Sequence, residues 1–161
     1  MKIAMIVAMD ESGFIGKDGG LPWRMSSDLK RFKRLTSGDG FNAVVMGRKT
    51  WDSLPDSYRP LPERTNIVLS RDSSLQIDGA EVALYDGRAV EIGYSEGCDE
   101  LWVIGGAEIY GLMIQRCEEI HITTVHTSVD GDAKFPDWDR SQWVEDVIGE
   151  DAASEHDEHA S

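Results

Sequence analysis

Three short stretches of this chain combine glycine with hydroxyl and cationic side chains in the way an anion-binding turn requires. In Met46-Gly47-Arg48-Lys49-Thr50 the glycine lets backbone approach a ligand, and Arg, Lys and Thr offer donors at a predicted helix start, where the dipole favours anions. Ser70-Arg71 adds a hydroxyl and a guanidinium suited to a phosphate monoester. Ile104-Gly105-Gly106-Ala107-Glu108-Ile109-Tyr110 reads as a strand, a glycine pair and a helix start, whose N–H groups can hold a pyrophosphate. Each alone has a plainer account, a tight turn or a surface charge. Three at the ends of consecutive strands favour one phosphate-rich ligand. Asp28 is the other conspicuous residue, opening a predicted helix whose Leu29 and Phe32 face inward. An acid in a first helical turn is common and contributes only about 0.3–1 kcal/mol. A carboxylate one turn before a buried aromatic is costly without a partner, and it suits a heterocycle offering two parallel N–H donors.

Neither the G-x-x-x-x-G-K-[ST] nucleotide loop nor the G-x-G-x-x-G dinucleotide fingerprint is present, which disfavours a nucleoside triphosphatase. The 161 residues fit one domain, and 40% hydrophobic with 29% charged residues is enough to bury a core. A net charge of −14 argues against nucleic acid as a partner, because phosphate backbones demand clustered Lys and Arg. The surplus is not confined to the C-terminal stretch: Glu150 to Ser161 holds five acidic residues and leaves −9 on the rest. An acidic surface with only 6 Lys against 10 Arg suits a salt-rich cytosol, and solubility alone also accounts for it. No apolar run approaches the roughly 20 residues that span a bilayer, and the N-terminus lacks the marks of a signal peptide, so no membrane association and a cytoplasmic location are expected. Cys98 and Cys117 are too few for a disulfide framework or a four-ligand zinc site, and are read as reduced thiols. His156 and His159 lie in an acidic tail read as solvated, and no metal is assigned.

The elements that must position these groups follow from apolar patterning. Ile3 to Met9 is a run without alternation, fitting a strand buried on both faces. Asp10 to Trp23 is a glycine-rich loop of the length that usually serves function. Ser26 or Ser27 caps a helix to about Thr36, with Lys30, Arg31, Lys33 and Arg34 outward. Asn42 to Met46, Thr65 to Leu69, Glu81 to Tyr85, Leu101 to Ile104, Glu119 to Val125 and Trp143 to Ile148 read as strands. Arg48 to Leu54, Gly87 to Tyr94 and Ala107 to Arg116 read as helical. Strands alternating with helices predict an α/β fold with a mostly parallel sheet, in which ligands bind beyond the carboxyl ends of the strands.

Taken in order, Ile15-Gly16, Leu21-Pro22-Trp23, Asp28-Leu29-x-x-Phe32, Met46-Gly47-Arg48-Lys49-Thr50-Trp51, Pro60-Leu61-Pro62-x-Arg64-x-Asn66, Ile104-Gly105-Gly106-Ala107-x-Ile109-Tyr110 and Gly131-Asp132 before Phe135-Pro136 resemble the dihydrofolate reductase family. The resemblance is collinear from Lys2 to about Trp143. It implies a single-domain dihydrofolate reductase-like fold, with a central sheet flanked by helices, that passes a hydride from NADPH to 7,8-dihydrofolate. Asp28 matches the family's catalytic, pterin-binding carboxylate. Ile6, Ala8, Phe32, Leu54, Ile104 and Tyr110 match positions lining the pterin and nicotinamide pockets, although core packing alone also accounts for them. Arg64 matches the arginine that holds the folate α-carboxylate; Lys33 and Arg59 add weaker attraction. Thr123 matches a threonine that supports the catalytic carboxylate. Arg48, Ser70 and Arg71 match the cofactor's 2′-phosphate site, Lys49 and Thr50 its pyrophosphate site, and Gly105, Gly106 and Ala107 the glycine turn. Ala8, Ile15, Gly47 and Ile109 complete the cofactor contacts, and Asp10 to Trp23 matches a loop that closes over nicotinamide.

There are departures. The segment from Asp52 to Arg59 is longer than in short bacterial relatives, which loosens the match at Leu54. The family's apolar last strand has no counterpart before Ser161, so a domain over residues 1–149, a sheet of seven strands and a flexible acidic tail over 150–161 are expected. The working unit is expected to be a monomer, with the edge left by that strand available for association. Two other readings fit the same residues: a reductase of a ribityl-pyrimidine intermediate on the same fold, and a module that binds pterin and NADPH without turnover. Asp28 and Arg64 together suit folate better than the first.

Overall fold

The structure, a computed structural model, describes residues 1–10, 14–16, 26–125, 133–136 and 143–144. In chain order the elements are β1 (Lys2–Asp10), β2 (Phe14–Gly16), α1 (Ser26–Ser37), β3 (Asn42–Gly47), α2 (Arg48–Ser53), β4 (Arg64–Leu69), β5 (Glu81–Ala83), α3 (Asp86–Ser95), β6 (Glu100–Gly105), α4 (Ala107–Met113), β7 (Glu119–Val125) and β8 (Ala133–Lys134). Short 3₁₀ turns occupy Asp56–Tyr58 and Ile114–Arg116.

The apolar run at the start of the chain becomes a central strand because both of its faces have something to bury against. Met5, Val7 and Met9 of β1 pack with Ala89 and Ile92 of α3 and with Ile109, Tyr110 and Met113 of α4. Ala4, Ile6 and Ala8 face the other way, against Phe32 of α1, Trp51 of α2 and Leu54. The two-residue alternation of a strand thus feeds two separate cores, one per face of the sheet. Each large aliphatic side chain so buried contributes roughly 1.5–3 kcal/mol. The main sheet has the order β5-β4-β3-β6-β1-β7, and every pairing in it is parallel. The chain passes from β1 to β3 and returns later to lay β6 between them, which makes the carboxyl ends of β1, β6 and β3 the switch point where open α/β sheets hold ligands.

Several expectations need correcting. β5 stops at Ala83 rather than Tyr85: it is an edge strand with one neighbour, and Leu84 and Tyr85 are exposed. α4 ends at Met113 and its last turn tightens to 3₁₀. Phe14–Gly16, expected within a loop, pairs antiparallel with Ala133–Lys134 as a separate two-stranded sheet. Strands of three and two residues are too short to show alternation, so no periodic signal could mark them. Trp143 and Val144 lie outside any strand, and Val144 is almost fully exposed. Among the described residues the main sheet has six strands. The rest of the expected strand, residues 145–148, the expected tail over 150–161 and most of the expected closing loop lie outside the described residues. No helix among the described residues is long and apolar enough to cross a membrane.

Candidate active site

The three anion-binding turns meet because their strands are neighbours in register. Gly47 at the end of β3 pairs with Leu69 at the end of β4, directly before Ser70 and Arg71. On its other side, Met46 pairs with Gly105 of β6 after an irregularity in the register. Gly47 eases this approach: a Cβ there would stand 3.0 Å from Ile109 Cγ1 of α4, tighter than an ordinary contact. Gly105 has φ +120, and a Cβ on it would lie 3.1 Å from the Tyr110 hydroxyl and 3.2 Å from Cζ. Gly106 differs, because the nearest described atom to an added Cβ is Thr50 Oγ1 at 3.9 Å. The protein has room for a side chain there, and glycine leaves the space beside Thr50 open to a ligand. α2 and α4, six and seven residues long, are too short for much macrodipole; what they offer is free first-turn N–H groups.

Tyr110 fixes the floor of the cleft. Its hydroxyl lies 2.9 Å from the carbonyl oxygen of Ile6, midway along β1, and 3.0 Å from that of Ile104, near the end of β6, sharing its proton between the two strands. Burial pushes its pKa far up, so it remains a phenol. Ile6, Ala8, Phe32, Leu54 and Ile104 come together in the core on the α1 side. Ile15, Ile109 and Tyr110 belong to the opposite core, under α4. Ala107 opens α4, and Lys49 is an exposed residue of α2.

Around Arg48, Ser70 and Arg71, cations and carboxylates are interleaved. Arg71 Nη2 is 2.8 Å from Glu108 Oε1, and Arg48 Nε is 3.8 Å from Asp52 Oδ2. Ser70 Oγ accepts from the Asp72 amide at 3.2 Å. The Ser74 hydroxyl and amide, with a smaller contribution from Arg48, hold the Asp72 carboxyl below its usual range. Hydroxyl, guanidinium and free amide donors around a glycine-opened space form a donor set that fits a phosphorylated dinucleotide.

Arg64 sits at the amino end of β4, away from that corner. Asn66 puts it there: its amide donates to the carbonyls of Leu61 at 3.0 Å and Arg64 at 2.9 Å, while its oxygen accepts the Leu61 N–H at 2.9 Å. Arg64 then donates to the Pro62 carbonyl at 2.8 Å and to Thr36 Oγ1 at 2.9 Å, its guanidinium 6.0 Å from the Phe32 ring. Burial lowers its pKa, yet a guanidinium stays charged. Among the described residues no carboxylate forms an ion pair with it, so it is equipped for an anion from outside. Thr36 is one end of α1 and Asp28 lies in the first turn at the other, about 12 Å of helix rise apart. The side chain of Asp28 lies outside what the structure describes. Arg59 is paired with Asp56.

Sequence reasoning missed two residues here. Arg31, expected to point outward, is half-buried and donates to Thr123 Oγ1 at 2.8 Å. Its place three residues after Asp28, on the same helix face, was the available signal. A hydroxyl oxygen that accepts from Arg31 retains its own proton for donation. Glu108 stood as an unspecified position between Ala107 and Ile109, and nothing in the sequence marked its pairing with Arg71.

A family model described as dihydrofolate reductase matches residues 2–161. Among curated proteins, dihydrofolate reductase of Mycobacterium leprae is 45% identical over 151 residues, covering 92% of this chain and 87% of the relative. The Bacillus subtilis dihydrofolate reductase is 38% identical over 141 residues, covering 88% and 79%. Among solved structures, Enterococcus faecalis dihydrofolate reductase complexed with NADP(H) and RAB-propyl matches with TM-score 0.81 at 34% identity, covering 99% of this chain and 91% of that one.

Proposed function

We infer the function from one premise: the chain belongs to the dihydrofolate reductase family. It is an NADPH-dependent oxidoreductase that reduces 7,8-dihydrofolate to 5,6,7,8-tetrahydrofolate, a step of one-carbon metabolism. NADPH, when bound, supplies the hydride. The chain supplies position, shielding from water and the proton.

The roles of individual residues are proposals. Arg48, Ser70 and Arg71 hold the 2′-phosphate, Lys49 and Thr50 the pyrophosphate, and the backbone at Gly47, Gly105, Gly106 and Ala107 lets the cofactor close on the sheet ends. Ile15 and Ile109, from the α4 side, support the nicotinamide end. Ile6, Ala8, Phe32, Leu54 and Ile104 form the apolar wall that excludes water from the transfer, with Tyr110 tying β1 to β6 behind it. Asp28 accepts N–H donors of the pterin and promotes protonation of the adjacent ring nitrogen, supported by Thr123. Arg64 takes the α-carboxylate as a planar fork at the far end of α1, with Arg59 as a weaker attraction. Free, buried Cys98 and Cys117, the latter with its thiol pushed up to about 12 by burial, suit a reducing cytoplasm.

The observation that carries this reading is the junction of three glycine-opened or donor-bearing turns at adjacent strand ends. Its test is loss of NADPH absorbance on adding dihydrofolate to the purified chain. Turnover with dihydrofolate and none with a ribityl-pyrimidine is expected; binding of both ligands without NADPH loss would refute it.

A further inference from the structure

The corner that faces the 2′-phosphate contains an acid that serves no purpose in holding one. Glu108 is exposed in the first turn of α4, and its Oε1 lies 2.8 Å from Arg71 Nη2. Both side chains are mostly solvent-exposed, so nothing in the core requires the contact. An exposed ion pair of this kind adds little to stability, so its cost falls on whatever else needs Arg71.

We propose that Glu108 is a specificity-determining residue: by occupying the Arg71 guanidinium it lowers the chain's preference for the 2′-phosphorylated cofactor over the unphosphorylated one. This rests on Arg71 reading the 2′-phosphate, as proposed above. A phosphate monoester carries nearly two negative charges at neutral pH, and binding it takes Arg71 from a carboxylate that then remains beside the phosphate. A ligand with a plain 2′-hydroxyl has no such contest, because a hydroxyl can donate to Glu108. Acidic residues serve dinucleotide sites this way where the ribose is unphosphorylated, and arginines where it is phosphorylated. This corner holds one of each, in contact. Arg48 is similarly shared, with Asp52 at 3.8 Å and with the field of Asp72. Freeing Arg71 from an exposed ion pair of this kind corresponds to roughly a two- to fivefold gain in affinity for the phosphate.

Calorimetric titration with two adenosine fragments tests the proposal without relying on turnover. Adenosine 2′,5′-bisphosphate and 5′-AMP are titrated at low ionic strength into the intact chain and the variants Glu108→Gln, Arg71→Ala and the double variant. Glu108→Gln is expected to tighten the bisphosphate about two- to fivefold and 5′-AMP hardly at all, a gain that mostly disappears when Arg71 is also Ala. Unchanged or weaker bisphosphate binding in Glu108→Gln, while Arg71→Ala still loses about tenfold or more, would overturn the proposal and leave the 2′-phosphate assignment standing. If Arg71→Ala binds the bisphosphate as the intact chain does, the assignment of Arg71 itself fails. Equal tightening of both fragments would make Glu108 a general repulsive charge and would also overturn the proposal.

Discussion

Replacing Gly105 by alanine should damage this protein more than replacing Gly97, a glycine of positive φ with open space around it. The backbone at Gly105 has φ +120, a conformation that costs an L-residue about 1–3 kcal/mol. The new Cβ would also meet the Tyr110 ring at 3.1–3.3 Å. That ring cannot retreat cheaply: its hydroxyl is held by the Ile6 and Ile104 carbonyls, and Phe135 packs against it with ring centroids 5.3 Å apart. Overpacking a buried site typically costs another 1–3 kcal/mol, for a total of about 2–6 kcal/mol. With whole-domain stabilities of about 5–15 kcal/mol, that is a large share. Gly97→Ala is the matched control, since Gly97 also has positive φ, +71, but an added Cβ meets nothing within 4 Å. Equilibrium unfolding in guanidinium chloride should show Gly105→Ala at least about 1 kcal/mol less stable than Gly97→Ala. The cost should shrink when Tyr110 is also changed to leucine, because the clash partner is then smaller. Equal losses at the two glycines, or strict additivity with Tyr110→Leu, would refute the packing argument.

Arg64→Leu should raise the Michaelis constant for dihydrofolate by about 10- to 150-fold with turnover little changed, because a charge-assisted bond to a remote carboxylate is present in ground and transition states alike. A selective loss of turnover in steady-state kinetics would contradict this. Asn66→Ala removes three hydrogen bonds under the Arg64 loop, and denaturant unfolding should show a loss of about 2–3 kcal/mol together with weaker dihydrofolate binding. Hydrogen bonds from Lys2, then His121, hold the Glu119 carboxyl below its usual range, so the stability it contributes is present above the ordinary carboxylate pKa and is lost as pH falls through the depressed value. Burial disfavours the Lys2 ammonium, but bonds to Glu119 and Glu100 outweigh it and raise the pKa, so that contribution is present below the ordinary lysine value and fades in alkali. Lys2→Met should therefore flatten the fall of the unfolding free energy on the acid side, below about pH 5, by less than about 1 kcal/mol because the groups are partly exposed; an unchanged slope would show that this network does not couple to folding.

The parts of this fold that were legible in the sequence are those with a repeating physical signal. β1 could be read because burial on both faces demands an unbroken apolar run, and α1 because Phe32 and Leu35 recur at helical spacing. The anion-binding turns could be read because glycine beside Arg, Ser and Thr at a strand end is a local pattern, and register then brought the turns together. β2 and β8 escaped because their pairing joins residues more than a hundred positions apart with no alternation to announce it. Arg31 was misread because a cation on a helix was assumed to face water, whereas Thr123 on the edge strand β7 gave it a partner. Glu108 escaped for the opposite reason: its importance lies in one long-range contact and not in its position on the helix.

The central proposal is that this cleft performs hydride transfer assisted by the carboxylate of Asp28 in the first turn of α1. The most direct measurement is the pH dependence of NADPH oxidation by dihydrofolate, in the intact chain and in Asp28→Asn, at saturating concentrations of both ligands. The account predicts that Asp28→Asn loses about 10²- to 10⁴-fold in turnover near neutral pH and recovers part of it as the solution becomes acidic and solvent can deliver the proton. Near-normal turnover of Asp28→Asn at neutral pH, with an unaltered pH profile, would contradict it.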